Sequence, residues 1–193
     1  MSFQWNRFDS RREFFKILAG IMMKTASVAG LLVAGALAAS GASADDVAAS
    51  TDLPEIDEVQ RLVDAGSPPA GVMFNVLEYD EGALEWAAPR IERYVQILRG
   101  TYPGLDVAVI SHGDEIMALQ TSETHLYRGV HDRLERLTGE QGLVVHVCGA
   151  YARANGVDAS EFADFVDVVP LATTQIEDYR AFGYVTISLE APR

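Results

Sequence analysis

Leu143-Val144-Val145-His146-Val147-Cys148-Gly149-Ala150 is the stretch from which the fold is read. Successive side chains of a strand point to opposite faces, so apolar residues at consecutive positions mark a strand covered on both sides. Gly149 then allows a turn, and residues 149–155 read as a short helix stopped by Gly156. The pattern recurs at 72–77, 107–110, 166–169 and 184–189, each a short run dominated by apolar residues. Between these runs the period changes. Leu84, Ala88, Ile91, Val95 and Leu98 recur at helical spacing, with Pro89 marking a kink or a late start. Leu126, Val130, Leu134 and Leu137 form a second stripe, Asp158-x-x-Glu161 resembles a capping box, and 174–182 is a helix ended by Gly183. Doubly apolar strands alternating with helices require a parallel sheet covered on both faces. The expected fold is α/β: a three-layer α/β/α domain with a five-stranded, mainly parallel sheet.

Working outward, residues 72–193 carry this domain and 45–71 read as an acidic linker. The linker holds one short helix, with Pro54 suiting its first position, Ile56, Val59 and Val63 sharing a face, and Gly66 ending it. Residues 1–44 read as an export signal. Ser10-Arg11-Arg12-Glu13-Phe14-Phe15-Lys16 matches the twin-arginine box, an apolar stretch follows, and Ala42-Ser43-Ala44 is a cleavage signal after Ala44. An uncleaved anchor is the competing reading of the apolar stretch, and Met23-Lys24 onward would serve as an ordinary secretory signal. Cleavage predicts a periplasmic protein with no stable membrane insertion.

The 193-residue chain has a formal net charge of −13, and from residue 45 onward it holds ten Arg and no Lys against 26 acidic residues. Nucleic acid and anionic membranes reward basic clusters, so neither is an expected partner. Without lysine in that part, Schiff-base chemistry and a phosphate-loop lysine are excluded. The lone Cys148 forms no intramolecular disulfide.

Ligands of open parallel sheets bind beyond the carboxyl ends of the strands. Three segments end there: Glu78-Tyr79-Asp80, Ser111-His112-Gly113-Asp114 and Cys148-Gly149-Ala150. Cys148 is the candidate nucleophile, because a helix N-terminus with free backbone N–H groups favours the thiolate. Equally, a free cysteine serves as a small buried hydrophobe. His112 is the candidate partner if the second and third strands are adjacent, taking the thiol proton or pairing with the thiolate. It also reads as a loop histidine bonded to a carbonyl. Gly149, Tyr151 and Arg153 are candidate substrate-binding residues, Arg153 as the positive charge nearest the crevice or as a surface arginine paired with a nearby acid. His146 reads as a core histidine, and His125 and His131 as solvated on different faces of one helix. The spacing of Cys148, His112 and His146 matches no standard ligand pattern, so no metal and no cofactor is expected.

The segment Val145-His146-Val147-Cys148-Gly149-Ala150, a short helix, Gly156-Val157 and an acidic short helix resembles the region around the reactive cysteine of DsrE-like proteins. These are the sulfur-relay proteins of the YchN, TusD and DsrE/DsrF groups. The resemblance covers about residues 72–189, is specific at the cysteine segment and generic elsewhere. It implies a five-stranded parallel domain, often a homotrimer or hexamer, whose cysteine carries sulfur as a persulfide between partners. Cys148 carries over directly and His112 more weakly. The leader departs from the cytoplasmic members, so the identity of their partners does not transfer. Two functions follow: a periplasmic carrier of sulfane sulfur, exchanging it with a donor or acceptor protein or a small sulfur species, or a non-catalytic oligomeric binding module with a structural cysteine.

Overall fold

The computed structural model of the chain describes residues 53–191. The twin-arginine pair Arg11 and Arg12, the cleavage point at Ala44 and the start of the acidic linker lie outside the described residues. Among the described residues no helix is long and apolar enough to cross a membrane.

Five strands, β1 (Gly71–Val76), β2 (Val107–Ser111), β3 (Val144–Cys148), β4 (Val166–Val169) and β5 (Tyr184–Leu189), form one sheet in the order β4-β3-β2-β1-β5. Every neighbouring pair is parallel. Among the described residues helix α1 (Pro54–Asp64) precedes β1, and four α-helices join the strands: α2 (Leu84–Thr101), α3 (Arg128–Gln141), α4 (Gly149–Ala154) and α5 (Ala172–Ala181). The expected three-layer α/β/α class is therefore the observed one. Helix α2 continues through Pro89, and its entry is a 3-10 turn, Glu81–Ala83, capped by the Asp80 carboxylate accepting from Gly82 N at 3.0 Å.

The two faces of the sheet are covered unequally. Val72, Phe74 and Val76 of β1, Val107 and Val109 of β2, and Val145 and Val147 of β3 pack under α1, α2 and α3 in the main core. Met73, Ile110 and Cys148 point the other way and pack under α5, against Ala172 and Ile176, with Ala150 and Tyr151 beside them. One helix cannot cover five strands. On that side Asn75 and Thr186 are half-buried, and Val144, Asp167 and Ser188 are exposed.

Helix α1 is not a tether. Val59 is fully buried in the main core, and Glu55, itself buried, pairs with Arg90 of α2 at 2.9 Å. The segment expected as a linker thus contributes a helix to the domain, and Tyr102 Oη donates to Leu62 O at 2.9 Å to hold its far end.

His131 corrects the sequence reading. It is 4% exposed rather than solvated, and its Nε2–H donates to Ala118 O at 2.8 Å. Helix α3 begins only at Arg128, so His125 and Leu126 precede it, and both are exposed. The stripe expected to begin at Leu126 begins at Val130.

Candidate functional site

Strands β1 to β3 hand the chain to α2, α3 and α4 on one face, whereas β4 hands it to α5 on the other. The outgoing connections of neighbouring strands therefore part between β3 and β4. Such a switch point is where an open parallel sheet forms its crevice. Cys148, the last residue of β3, pairs in register with Val169, the last residue of β4.

Cys148 is also the N-cap of α4, as the sequence suggested. Its surroundings are drier than the sequence implied. The residue is 6% exposed, its side chain packs with Met73, Ile110, Ala172 and Ile176, and among the described residues the thiol makes no hydrogen bond. Of the backbone donors at the start of α4, Ala150 N is already committed to Pro170 O at 3.1 Å. That bond ties the two diverging connections together beside the thiol.

Gly149 is a glycine for lack of room. A Cβ there would stand 2.9 Å from Val169 O and 3.1 Å from both Val168 Cγ1 and Arg153 Nη1. Val168 packs with the main core, so Arg153 lies toward the face opposite the Cys148 side chain. Arg153 is exposed and, among the described residues, has neither hydrogen bond nor ion pair. The arginine is thus free, but the structure does not bring it together with the thiol.

Tyr151 sits between the two sides. Its ring packs against both cores, and its hydroxyl donates to Asp114 Oδ1 across the ends of β2 and β3. That bond, with burial and the Asp114 charge, pushes the phenol up to about 12, so it stays protonated and remains a donor.

Strands β2 and β3 are adjacent, the condition set for His112. Their register pairs Ile110 with His146 and ends at Ser111 with Val147, so His112 and Cys148 are the residues that follow at adjacent strand ends. The imidazole, however, is engaged on its other side: Nε2 lies 2.9 Å from Asn75 Oδ1 on β1. Burial lowers the His112 pKa below 6.5, partly opposed by Glu115, so the neutral ring is favoured at neutral pH. A neutral imidazole suits proton acceptance better than ion pairing with a thiolate.

Glu115, which the sequence reading did not single out, organises this loop. It is 0% exposed, yet both of its oxygens are satisfied. Oε1 accepts from Ser111 Oγ and His112 N, each at 2.8 Å, and from Gly113 N at 3.0 Å. Oε2 accepts from Glu78 N at 2.9 Å. One carboxylate thereby clamps the end of β2 to the loop after β1. The two loops approach so closely that a Cβ on Gly113 would stand 2.2 Å from Glu78 O. The available signal was an acid two residues after a Ser-His-Gly strand end, too weak to separate from a solvated Asp114-Glu115 pair.

His146 is the core histidine expected. It is 5% exposed, Nε2 lies 2.8 Å from Tyr179 Oη on α5, and Nδ1 stands 2.9 Å from Asp167 Oδ2 without hydrogen-bond alignment. Burial lowers its pKa, opposed by Asp167. Among the described residues no three His, Cys, Asp or Glu side chains gather as a metal site.

No family model matches the chain, and no curated protein does either. One similar solved structure is that of a protein of unknown function, MTH1491, from Methanobacterium thermoautotrophicum. It is 23% identical with a TM-score of 0.50 over 61% of this chain and 96% of that one. At that identity the likeness is one of fold.

Proposed function

We propose that the protein is a periplasmic sulfur-handling protein that carries sulfane sulfur as a persulfide on Cys148. The observation that carries this reading is the place of the thiol: the single cysteine of the chain lies at the point where the β3 and β4 connections part. Support comes from His112 at the adjacent strand end, its pKa lowered by burial, and from the resemblance of the 145–150 segment to sulfur-relay proteins. The export-signal pattern at Ser10–Lys16 and Ala42–Ala44 supplies the compartment. The partners would be a donor or acceptor protein or a small sulfur species, and the assembly a trimer or hexamer, as in the family resembled. Gly149 and Tyr151 would then frame the crevice, with Arg153 at its outer edge.

One observation favours a second reading. A thiol 6% exposed and without a hydrogen bond is also what a packed structural cysteine presents, in a binding or assembly module using the sparsely covered sheet face. Intact-mass measurement of the folded mature chain after polysulfide treatment separates the two. The carrier gains the mass of one sulfur atom, and Cys148→Ser gains nothing. A folded wild type that stays unmodified removes the carrier reading and leaves the packed cysteine.

A further inference from the structure

Three side chains of the sparsely covered sheet face are joined in a row that crosses three strands. Ser188 of β5 and Asn75 of β1 are register partners, and Asn75 Nδ2 donates to Ser188 Oγ at 3.4 Å. That bond turns the other end of the amide, Oδ1, toward His112, whose Nε2 lies 2.9 Å away. A carbonyl oxygen only accepts, so the nitrogen facing it must carry the proton. Cys148 lies on the same face, one residue past the last β2–β3 pair, Ser111 with Val147, as His112 does on its own strand, and it packs with Met73, two residues before Asn75. A cysteine at a helix start, a histidine beside it and an asparagine orienting that histidine form a constellation that supports thiol chemistry on unrelated folds.

We propose that Asn75 is a positioning residue: it holds His112 as the Nε2–H tautomer and leaves Nδ1 as the nitrogen that takes the Cys148 thiol proton. The role in sulfur loading rests on the carrier reading above, whereas the tautomer and its effect on the thiol do not. With a low-molecular-weight persulfide R–S–SH as donor, the step balances without an oxidant. The Cys148 proton passes to His112 Nδ1, and the thiolate attacks the outer sulfur. A bond forms between Cys148 Sγ and the outer sulfur as the donor's S–S bond breaks, and R–S⁻ leaves, recovering the proton from Nδ1. The products are Cys148–S–SH and R–SH. Asn75 touches no reacting atom. It acts by keeping one imidazole nitrogen bare, and the lowered pKa of His112 keeps the ring neutral while it does so.

The test reads the tautomer directly. Long-range ¹⁵N–¹H NMR of the folded chain, with His112 assigned by the loss of its signals in His112→Ala, should show Nε2 protonated and Nδ1 bare. Asn75→Ala should give a mixture of tautomers, and Asn75→Asp, whose carboxylate also accepts from Nε2–H, should restore the wild-type state. Iodoacetamide alkylation of Cys148 should slow about tenfold or more in Asn75→Ala, a part of the 10²–10⁴ that general-base catalysis supplies. It should recover in Asn75→Asp, and the double variant Asn75→Ala/His112→Ala should be no slower than His112→Ala, because Asn75 acts through that ring. A wild type protonated at Nδ1 overturns the proposal, since the amide would then donate rather than accept. So does an Asn75→Ala chain with unchanged tautomer and alkylation rate, or a folded wild type that is not alkylated at all. A chain that follows the predicted NMR and alkylation pattern but accepts no sulfur from the persulfide upholds the positioning role and overturns the carrier reading.

Discussion

Replacing Glu115 by Gln isolates the one charge on which the geometry of the β2 end depends. The substitution keeps the size of the side chain and changes only what it offers its neighbours. Glu115 presents two acceptor oxygens to four donors, three on Oε1 and Glu78 N on Oε2. Glutamine keeps one oxygen and places an NH₂ group against the fourth donor. Leaving a buried N–H unsatisfied costs about 1–3 kcal/mol, and hydrogen bonds to a charged acceptor exceed neutral ones by roughly 1 kcal/mol each. Part of the loss is returned, because a neutral side chain is cheaper to bury than a carboxylate. The net expectation is roughly 2–4 kcal/mol of destabilisation, a large share of the 5–15 kcal/mol available to a domain. Urea unfolding followed by circular dichroism measures it as a lower midpoint at unchanged slope. Native-state hydrogen exchange should add a local signature, with Glu78 N, the donor left facing the NH₂ group, losing protection. An unfolding midpoint within about 0.5 kcal/mol of wild type, the scatter of neutral surface changes, would refute the clamp.

Arg90→Ala should cost about 3–5 kcal/mol, because it leaves the Glu55 carboxylate buried without its 2.9 Å partner. An effect below about 1 kcal/mol, as for an exposed pair, would return α1 to the status of a tether. Burial lowers the pKa of both His112 and His146 beneath the 6.5 of an unfolded chain, so between that value and their folded pKa values the unfolded state binds more protons. Stability should therefore be constant above that window and fall as the pH drops through it. Thermal midpoints that hold steady or rise on mild acidification would contradict both burials.

The elements legible in the sequence are those whose apolar residues face neighbours on the same or the next element. β3 and β5 read correctly to within a residue because each is a short run dominated by apolar residues and bounded by glycine or by a polar turn. What the sequence did not show was decided by groups far apart along the chain. His131 is buried because Ala118 O, thirteen residues earlier, is carried over it by the 3-10 segment Asp114–Leu119. Glu115 is buried because four donors from two loops converge on it, and none of the four is visible as a periodicity. Leu126 fits the helical stripe arithmetically but lies before the first turn of α3. Arg153 was placed with Cys148 on proximity in sequence. Successive strand residues face opposite ways, and the turn at Gly149 carries that separation into α4, so the guanidinium and the thiol end on different faces.

The return of the chain from β4 to β5 explains why the candidate site is both well placed and closed. Because β5 lies beyond β1, the connection must cross the sheet, and α5 does so on the face the other helices leave free. The crossing creates the parting of connections beside Cys148 and, with the same residues, covers it: Ala172 and Ile176 of α5 lie on the thiol. What closes the remaining side is slight by comparison. The Tyr151–Asp114 and Ala150–Pro170 hydrogen bonds hold the start of α4 in place. A neutral bond contributes about 0.5–1.5 kcal/mol net and one to a carboxylate about 1.5–3, so separating both costs roughly 2–4.5 kcal/mol. That lies below the 5–15 kcal/mol of global unfolding, and local openings of this size occur within folded domains. At about 1.4 kcal/mol per factor of ten, such an opening slows access to the thiol by roughly 30- to 1,500-fold. If the start of α4 opens in this way, burial sets the rate at which Cys148 is reached, and a six-residue helix is enough to set it.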